Sequence, residues 1–456
     1  MKKILVLIIP LFLISSCGKL DKKTYVTLSG SLKNSIADTL QILNSKQVVL
    51  KNINLDNQSL FSDTLKVPEG YYSIKYDKEQ AQIFLKPGFD LSISFTPNDL
   101  GESPKFDGQG ADENNYLVAK TALNKSIHET VQYDYLGLSE EDYLKSLDSI
   151  YNEKLDLLAK YSDKLDEDFV FYEQKGLEFE KGTDLAKFPM MKSYITGDNT
   201  FKVSENYPDP YEGINLADPD LLTIPTYSFF IRNYLAEKTN EVIGNNREKD
   251  YYMSYIDVIE NEVPSPPIKQ ELAYYIGKRN LIYTKSLDSL YHKIEPLITK
   301  QEYASEIKKA YQQLKKIDKG QVSPDFELVN TKNELISLKD HKGKLVYIDV
   351  WATWCAPCIK EFPALEGLIS EFKDKDISFI SICMEDTTER WKKMIVSKNL
   401  KGIQLFAEDR NVSFLKHYMV EGIPRFMLID KDGKIIDSKA MRPSNPKLKE
   451  QIEVLL

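Results

Sequence analysis

Leu345-Val346-Tyr347-Ile348-Asp349-Val350-Trp351-Ala352-Thr353-Trp354-Cys355-Ala356-Pro357-Cys358 is the stretch on which the reading of this chain turns. Leu345 to Val350 is a mostly apolar run of strand length, as expected of a buried strand. Beyond the cysteines, apolar residues recur at Ile359, Phe362, Leu365, Ile369 and Phe372, the spacing of one helix face. Two thiols therefore stand where a strand ends and a helix starts. The free N–H groups and partial positive charge of a helix N-terminus stabilise a thiolate there. A C-x-x-C pair at such a junction brings both sulfurs onto the first helical turn, where they can cycle between dithiol and disulfide.

The same spacing is half of a zinc site. However, the chain has no second C-x-x-C, and His128, His292, His341 and His417 are scattered singly, so the ligand count argues against a metal. A purely structural bridge across two intervening residues closes too small a loop to constrain much chain. Thiol–disulfide exchange is what the residues support. Cys355, at the helix start, is expected to be exposed and nucleophilic, with Cys358 one turn inside.

The run from Asp349 to Pro363 resembles the thioredoxin-fold disulfide reductases, and more narrowly the membrane-anchored TlpA/ResA type that faces away from the cytoplasm. The resemblance is carried by Trp351, Trp354, Cys355, Pro357 and Cys358, by Lys360-Glu361-Phe362-Pro363, and by the distant Gly422-Ile423-Pro424. It implies an α/β thioredoxin-like fold and a cis Pro424 facing the disulfide. It also implies that the Ile423 backbone pairs with a substrate strand and that Trp354 covers one side of the disulfide. Asp349 matches the buried aspartate six residues before the first cysteine, and Glu361 the glutamate three residues after the second. A buried carboxyl has a raised pKa and can take a thiol proton near neutral pH. Both are expected to modulate the thiols, Glu361 ahead of Asp349. The plainer alternatives are a strand-end residue for Asp349 and a solvated first-turn charge for Glu361.

Pro357 between the cysteines resembles reductases, whose potentials lie at about −270 mV against about −120 mV for strong oxidants. No dinucleotide fingerprint is present, so no cofactor is expected, and electrons should arrive from a membrane thiol donor. The expected substrate is a disulfide-bearing protein. Two other readings compete. A peroxiredoxin-like thiol peroxidase would want T-x-x-C, whereas Thr353 is only two residues before Cys355. The other is a ligand-binding lipoprotein with an auxiliary redox site.

At 456 residues the chain is too long for one ordinary core, and about three domains are expected. Its 60 basic and 69 acidic side chains give a net charge of −9, with no basic stripe, so nucleic acid is not an expected partner. Lys2 and Lys3 precede an apolar run, Ile4 to Ile14, that is shorter than the ~20 residues of a membrane span. Leu13-Ile14-Ser15-Ser16-Cys17 resembles a lipobox. Residues 1–16 are accordingly expected to be a lipoprotein signal peptide and Cys17 the lipidated residue, on a charged tether, Lys19 to Lys23. This implies a lipid anchor at the cell envelope, facing the periplasm. Cys383 lies in Ile377 to Cys383, an expected central strand, and is expected to be buried and inert.

Residues 24–108 read as an antiparallel β-sandwich-like domain. Tyr25–Leu28, Gln47–Leu50, Tyr71–Ile74 and Leu91–Phe95 are the expected strands, and Gly30, Pro68-Glu69-Gly70 and Pro87-Gly88 the turns. The pattern resembles the uncharacterised β domain that precedes thioredoxin modules in some Gram-negative lipoproteins. Residues 111–318 read as an α-helical domain. Leu144, Leu147, Tyr151, Leu155 and Leu158 form a stripe there, and Thr226–Ile243 and Tyr303–Ile317 are further helices. Tyr251, Tyr252 and Tyr255 are either a binding face or, more simply, helix packing. Lys319 to Pro324 is the expected linker to the thioredoxin-like domain, 322–456. Within that domain Glu334–Leu338 is an early hairpin arm. Asp386-Thr387-Thr388-Glu389 has the spacing of a capping box, Asp432-Gly433 marks a hairpin, and Pro446–Leu456 is the closing helix.

Overall fold

The computed structural model describes residues 23–96, 100–101, 104–131, 134–246, 248–409 and 412–456. The expected signal peptide and Cys17 lie outside them. The chain forms two compact units, one ending at Tyr234 and one running from Leu235 to Leu456.

The first unit begins with eight strands: β1 Val26–Leu32, β2 Thr39–Leu43, β3 Val49–Asn54, β4 Leu60–Leu65, β5 Gly70–Tyr76, β6 Glu79–Leu85, β7 Asp90–Phe95 and β8 Lys105–Gln109. They make two four-stranded sheets, ordered β4-β1-β7-β8 and β3-β2-β5-β6. The four expected strands are present, with β1 and β3 displaced toward their C-terminal ends. β2, β4, β6 and β8 were not anticipated. The sandwich is not wholly antiparallel, because β1 and β7 pair in parallel. That pairing depends on Gly30, where a Cβ would stand 2.0 Å from the Ile93 carbonyl oxygen.

Helices α1 Ala111–Val131, α2 Glu140–Tyr161 and α3 Glu167–Thr196 follow. They form an apolar cluster of their own, through Tyr143, Leu147, Tyr151, Leu177, Leu185 and Phe188, and also share one with the strands. Tyr116, Leu117, Leu158, Leu165 and Phe169 join the sandwich residues in one apolar cluster. Burying these side chains contributes roughly 1.5–3 kcal/mol each. On α2 the buried face runs through Tyr143, Leu147, Tyr151, Lys154 and Leu158, whereas Leu155 is exposed, so the expected stripe is rotated by one residue. Lys154 takes the inner position because its ammonium bonds Glu180 at 2.7 Å. The buried Glu173 accepts from Tyr71 Oη and Lys120 Nζ, both at 2.6 Å.

Helix α4 Pro225–Ile243 runs through the division between the units, so the helices expected over 111–318 are shared between them. The second unit continues with α5 Tyr251–Glu262, α6 Pro266–Arg279, α7 Leu287–Ile294 and α8 Gln301–Lys315. Tyr255 is buried, and the rings of Tyr251, Tyr252 and Tyr283 lie in contact. These tyrosines take part in helix packing.

The thioredoxin-like part contains β9 Glu327–Asn330, β10 Leu335–Ser337, β11 Leu345–Trp351, α9 Ala356–Glu371, β12 Ile377–Met384, α10 Thr388–Lys398, β13 Ile403–Ala407, α11 Ser413–His417, β14 Arg425–Ile429, β15 Ile435–Asp437 and α12 Pro446–Leu455. Its seven strands are ordered β10-β9-β13-β12-β11-β14-β15. The central β11 is buried at every residue, pairing with β12 in parallel and with β14 antiparallel. A strand covered on both faces requires a continuous apolar run, which is what Leu345 to Val350 supplies. The β14–β15 hairpin turns at Gly433, whose φ of 82° suits glycine.

The expected linker is an edge segment. Gly320 and Ser323 N–H donate to the carbonyls of Ile435 and Gly433, and Ile435 N–H donates to Gln321. Its backbone groups are spent on β15, which ties α8 to the sheet.

Candidate active site

Strand β11 ends at Trp351, and α9 starts immediately after Cys355, which is its N-cap. Cys355 Sγ accepts a hydrogen bond from the Cys358 N–H at 3.2 Å. A sulfur at this position faces the unpaired amides of the first turn. Cys355 and Cys358 form a disulfide, with their Cα atoms 5.3 Å apart. Both are buried, with Cys355 only 3% exposed, in contrast to the exposed first cysteine expected from the sequence. The reason is the packing. Both sulfurs belong to an apolar cluster with Trp351, Phe362, Cys383 and Trp391, against which Ile423 packs.

The peptide bond between Ile423 and Pro424 is cis. β14 begins at the next residue, and Arg425 pairs with Val350 across the sheet, so Pro424 stands beside the end of β11 where the cysteines begin. Among the described residues the Ile423 backbone makes no hydrogen bond. Trp354 lies outside the apolar cluster, 55% exposed, with its indole N–H donating to Glu385 O at 3.0 Å.

Asp349 lies on β11 opposite Ser381 of β12 and Phe426 of β14, and is 4% exposed. Burial pushes its carboxyl up to about 8. The charge of Glu361 adds to this, and a hydrogen bond with Ser381 opposes it. Glu361 lies one helical turn beyond Cys358 and is buried, not a solvated first-turn charge. Its carboxylate accepts from Ser444 N–H at 2.9 Å and Ser444 Oγ at 3.0 Å, with Arg442 Nη1 at 3.7 Å. The site therefore holds two inward carboxyl groups near each other, one anchored by the 442–444 loop and one buried beside only a serine.

Cys383 is fully buried on β12, opposite Trp351. Burial, and then the charges of Asp386 and Asp349, raise its thiol well above the ordinary range, so it stays protonated.

The sequence reading missed Asp386. The cap of α10 is Thr387, whose Oγ1 accepts from Arg390 N–H; with Arg390 at the third helical position the expected capping box does not form. Asp386 instead accepts the Thr353 N–H at 2.7 Å and pairs with Arg390 Nε at 2.8 Å. Burial alone would raise this carboxyl, but the bonds from Thr353 and Thr387 and the Arg390 charge together hold it below its ordinary range. With Glu385 holding Trp354, this turn fixes the two residues just before Cys355.

Residues 318–452 match the family model described as Redoxin. Over 138 residues the chain is 33% identical to the thiol-disulfide oxidoreductase ResA of Bacillus thuringiensis, spanning 30% of this chain and 79% of that protein. It is 33% identical over 130 residues to the thioredoxin-like protein YneN of Bacillus subtilis, 26% of this chain and 71% of that one. A solved thioredoxin domain of a thiol-disulfide oxidoreductase from Bacteroides vulgatus is 31% identical, covering 30% of this chain and 96% of its own, with a TM-score of 0.28. Through this C-terminal domain the chain belongs to the ResA family of thioredoxin-fold thiol-disulfide oxidoreductases.

Proposed function

We propose that the protein is an extracytoplasmic disulfide reductase in which Cys355 is the nucleophile and Cys358 resolves. The observation that carries this reading is the disulfide at the β11–α9 junction, with Asp349 buried on the strand that leads into it and the cis Ile423–Pro424 bond next to the end of that strand. The reduced Cys355 thiolate attacks one sulfur of a client disulfide. A Cys355–client S–S bond forms, the client S–S bond breaks, and the first client thiolate leaves. Cys358 then loses its proton and attacks Cys355. This closes the Cys355–Cys358 disulfide and releases the second client thiolate, two electrons having passed to the client. A dithiol donor restores the pair.

Closing the disulfide requires a base for Cys358 in a dry site. A carboxyl raised to about 8 is ionised only in a minor fraction near neutral pH, and in that fraction Asp349 can take the Cys358 proton. Glu361, held by Ser444 and Arg442, lies close by and adds to the rise of Asp349. The unbonded Ile423 backbone is an edge to which an extended client segment can pair, and Trp354 offers an exposed ring immediately before Cys355 in the chain.

The membrane address rests on Lys2, Lys3, the apolar run and Cys17. A lipid on Cys17 would hold the enzyme near a membrane thiol donor. Replacing Cys17 by Ser should move the protein from the membrane to the soluble fraction; unchanged partitioning would refute the anchor. For the chemistry, the full chain supplied with dithiothreitol should reduce a protein disulfide repeatedly. Cys358→Ser should stop after one client, and Cys355→Ser should not start.

A further inference from the structure

We infer that the cleft between α6/α8 and the 416–421 segment receives the client polypeptide flanking its reactive cysteine, and that it selects for acidic residues there. This deepens the reductase reading and rests on it.

The cleft has a volume of about 460 Å3. One wall is helical, from Lys278, Glu306, Lys309 and Ala310, and the other is Lys416, Met419 and Glu421. Gln313 Nε2 donates to the His417 carbonyl at 3.2 Å, joining the two walls at one point. The second wall runs straight into Gly422 and the cis Ile423–Pro424 bond. In this inference a client strand paired to the open Ile423 backbone continues past Glu421 and Met419, which line this cleft. The helices thus add a wall to a cleft whose lining ends at Glu421, three residues before Pro424.

The charges set the occupant. Lys278 Nζ is committed to Glu306 at 2.8 Å and to Tyr274 Oη at 2.9 Å. Lys309 and Lys416 are exposed and form no ion pair among the described residues. Glu421 is the counterpart carboxylate of the lining and is also without an ion pair among them. Two uncommitted ammonium groups against one uncommitted carboxylate favour acidic side chains, while Ala310 and Met419 offer an apolar floor.

The test uses the full chain with dithiothreitol as reductant and two disulfide peptides that differ only in flanks, Glu on both sides or Lys on both sides. The wild type should show a kcat/KM about fivefold higher for the Glu peptide at low salt, shrinking at high salt because exposed charges are screened. The double variant Lys309→Glu with Lys416→Glu changes two exposed side chains and should invert the preference. Equal kcat/KM for both peptides in the wild type, or a preference that survives the reversal, overturns the inference. Oxidised glutathione is the control for the chemistry. If the wild type reduces neither peptide nor glutathione, the reductase reading itself fails, and this inference with it; turnover without discrimination sinks the cleft alone.

Discussion

The two units treat buried polar groups differently. In the first, the strongly buried charges are bonded, Glu113 by the Asp166 N–H and two others by opposite charges. Glu173 is met by Lys120 and Tyr71, Lys154 by Glu180, and Asn114 clamps both the N–H and the carbonyl of Phe84. In the second, Asp349 is buried near another carboxylate, Arg425 bonds only backbone carbonyls, and Lys439 lies over the Tyr283 ring. Satisfied burial serves the fold. Uncompensated burial shifts proton affinities, and Asp349 and Arg425 lie on the strands next to the cysteines and the cis-proline bond, where such shifts are useful.

The largest effect expected on this contrast is at the sulfur itself. Cys355→Ser should lower disulfide reduction by on the order of a thousandfold or more, with the melting temperature of the reduced protein little changed. Glu173→Ala tests the other unit. It strands Lys120 and should cost about 3 kcal/mol of stability in denaturant unfolding. Loss of thiol activity in parallel, measured where the variant is folded, would break the division of roles.

Asp349→Asn should do the reverse of Glu173→Ala. The native carboxyl keeps its proton up to about 8, whereas the unfolded one loses it near its ordinary value of 3.8. Ionisation therefore erodes stability as pH rises from about 4 to about 8. The variant should be more stable than the wild type by on the order of 3 kcal/mol at pH 9, with no gain at pH 4. It should also slow release of the trapped client near neutral pH. The smallest effect has the opposite slope. Burial, then the Arg425 charge, lower Lys439 to about 7, so stability rises with pH between about 7 and 10.5. Lys439→Met should stabilise by about 1 kcal/mol at pH 6 and by less at pH 10.

The redox centre was legible because its chemistry is local. Cys355, Cys358 and Glu361 share one helix, and Asp349 lies on the strand feeding it. Ile423 and Pro424 were recognisable from a second motif. Asp386 was not, because its bond to Thr353 joins residues 33 apart and its spacing mimics a helix cap. The burial of Cys355 also escaped, since it depends on Trp391 and Phe362 closing over the sulfur. In the sandwich, β8 escaped because Phe106 is its one buried side chain, and the parallel β1–β7 pair because strand direction leaves no mark on alternation. The segment from Lys319 to Pro324 has linker composition, yet it is ordered by bonds to β15 that no local pattern encodes.

The central claim is that Cys355 attacks and Cys358 resolves. Its most direct measurement is mass spectrometry of the reduced Cys358→Ser full chain mixed with a client disulfide. The account requires a stable adduct of protein plus one client, with the bridge on the Cys355 peptide. No adduct there, or an equal yield from a Cys355→Ser chain bridged through Cys358, contradicts it.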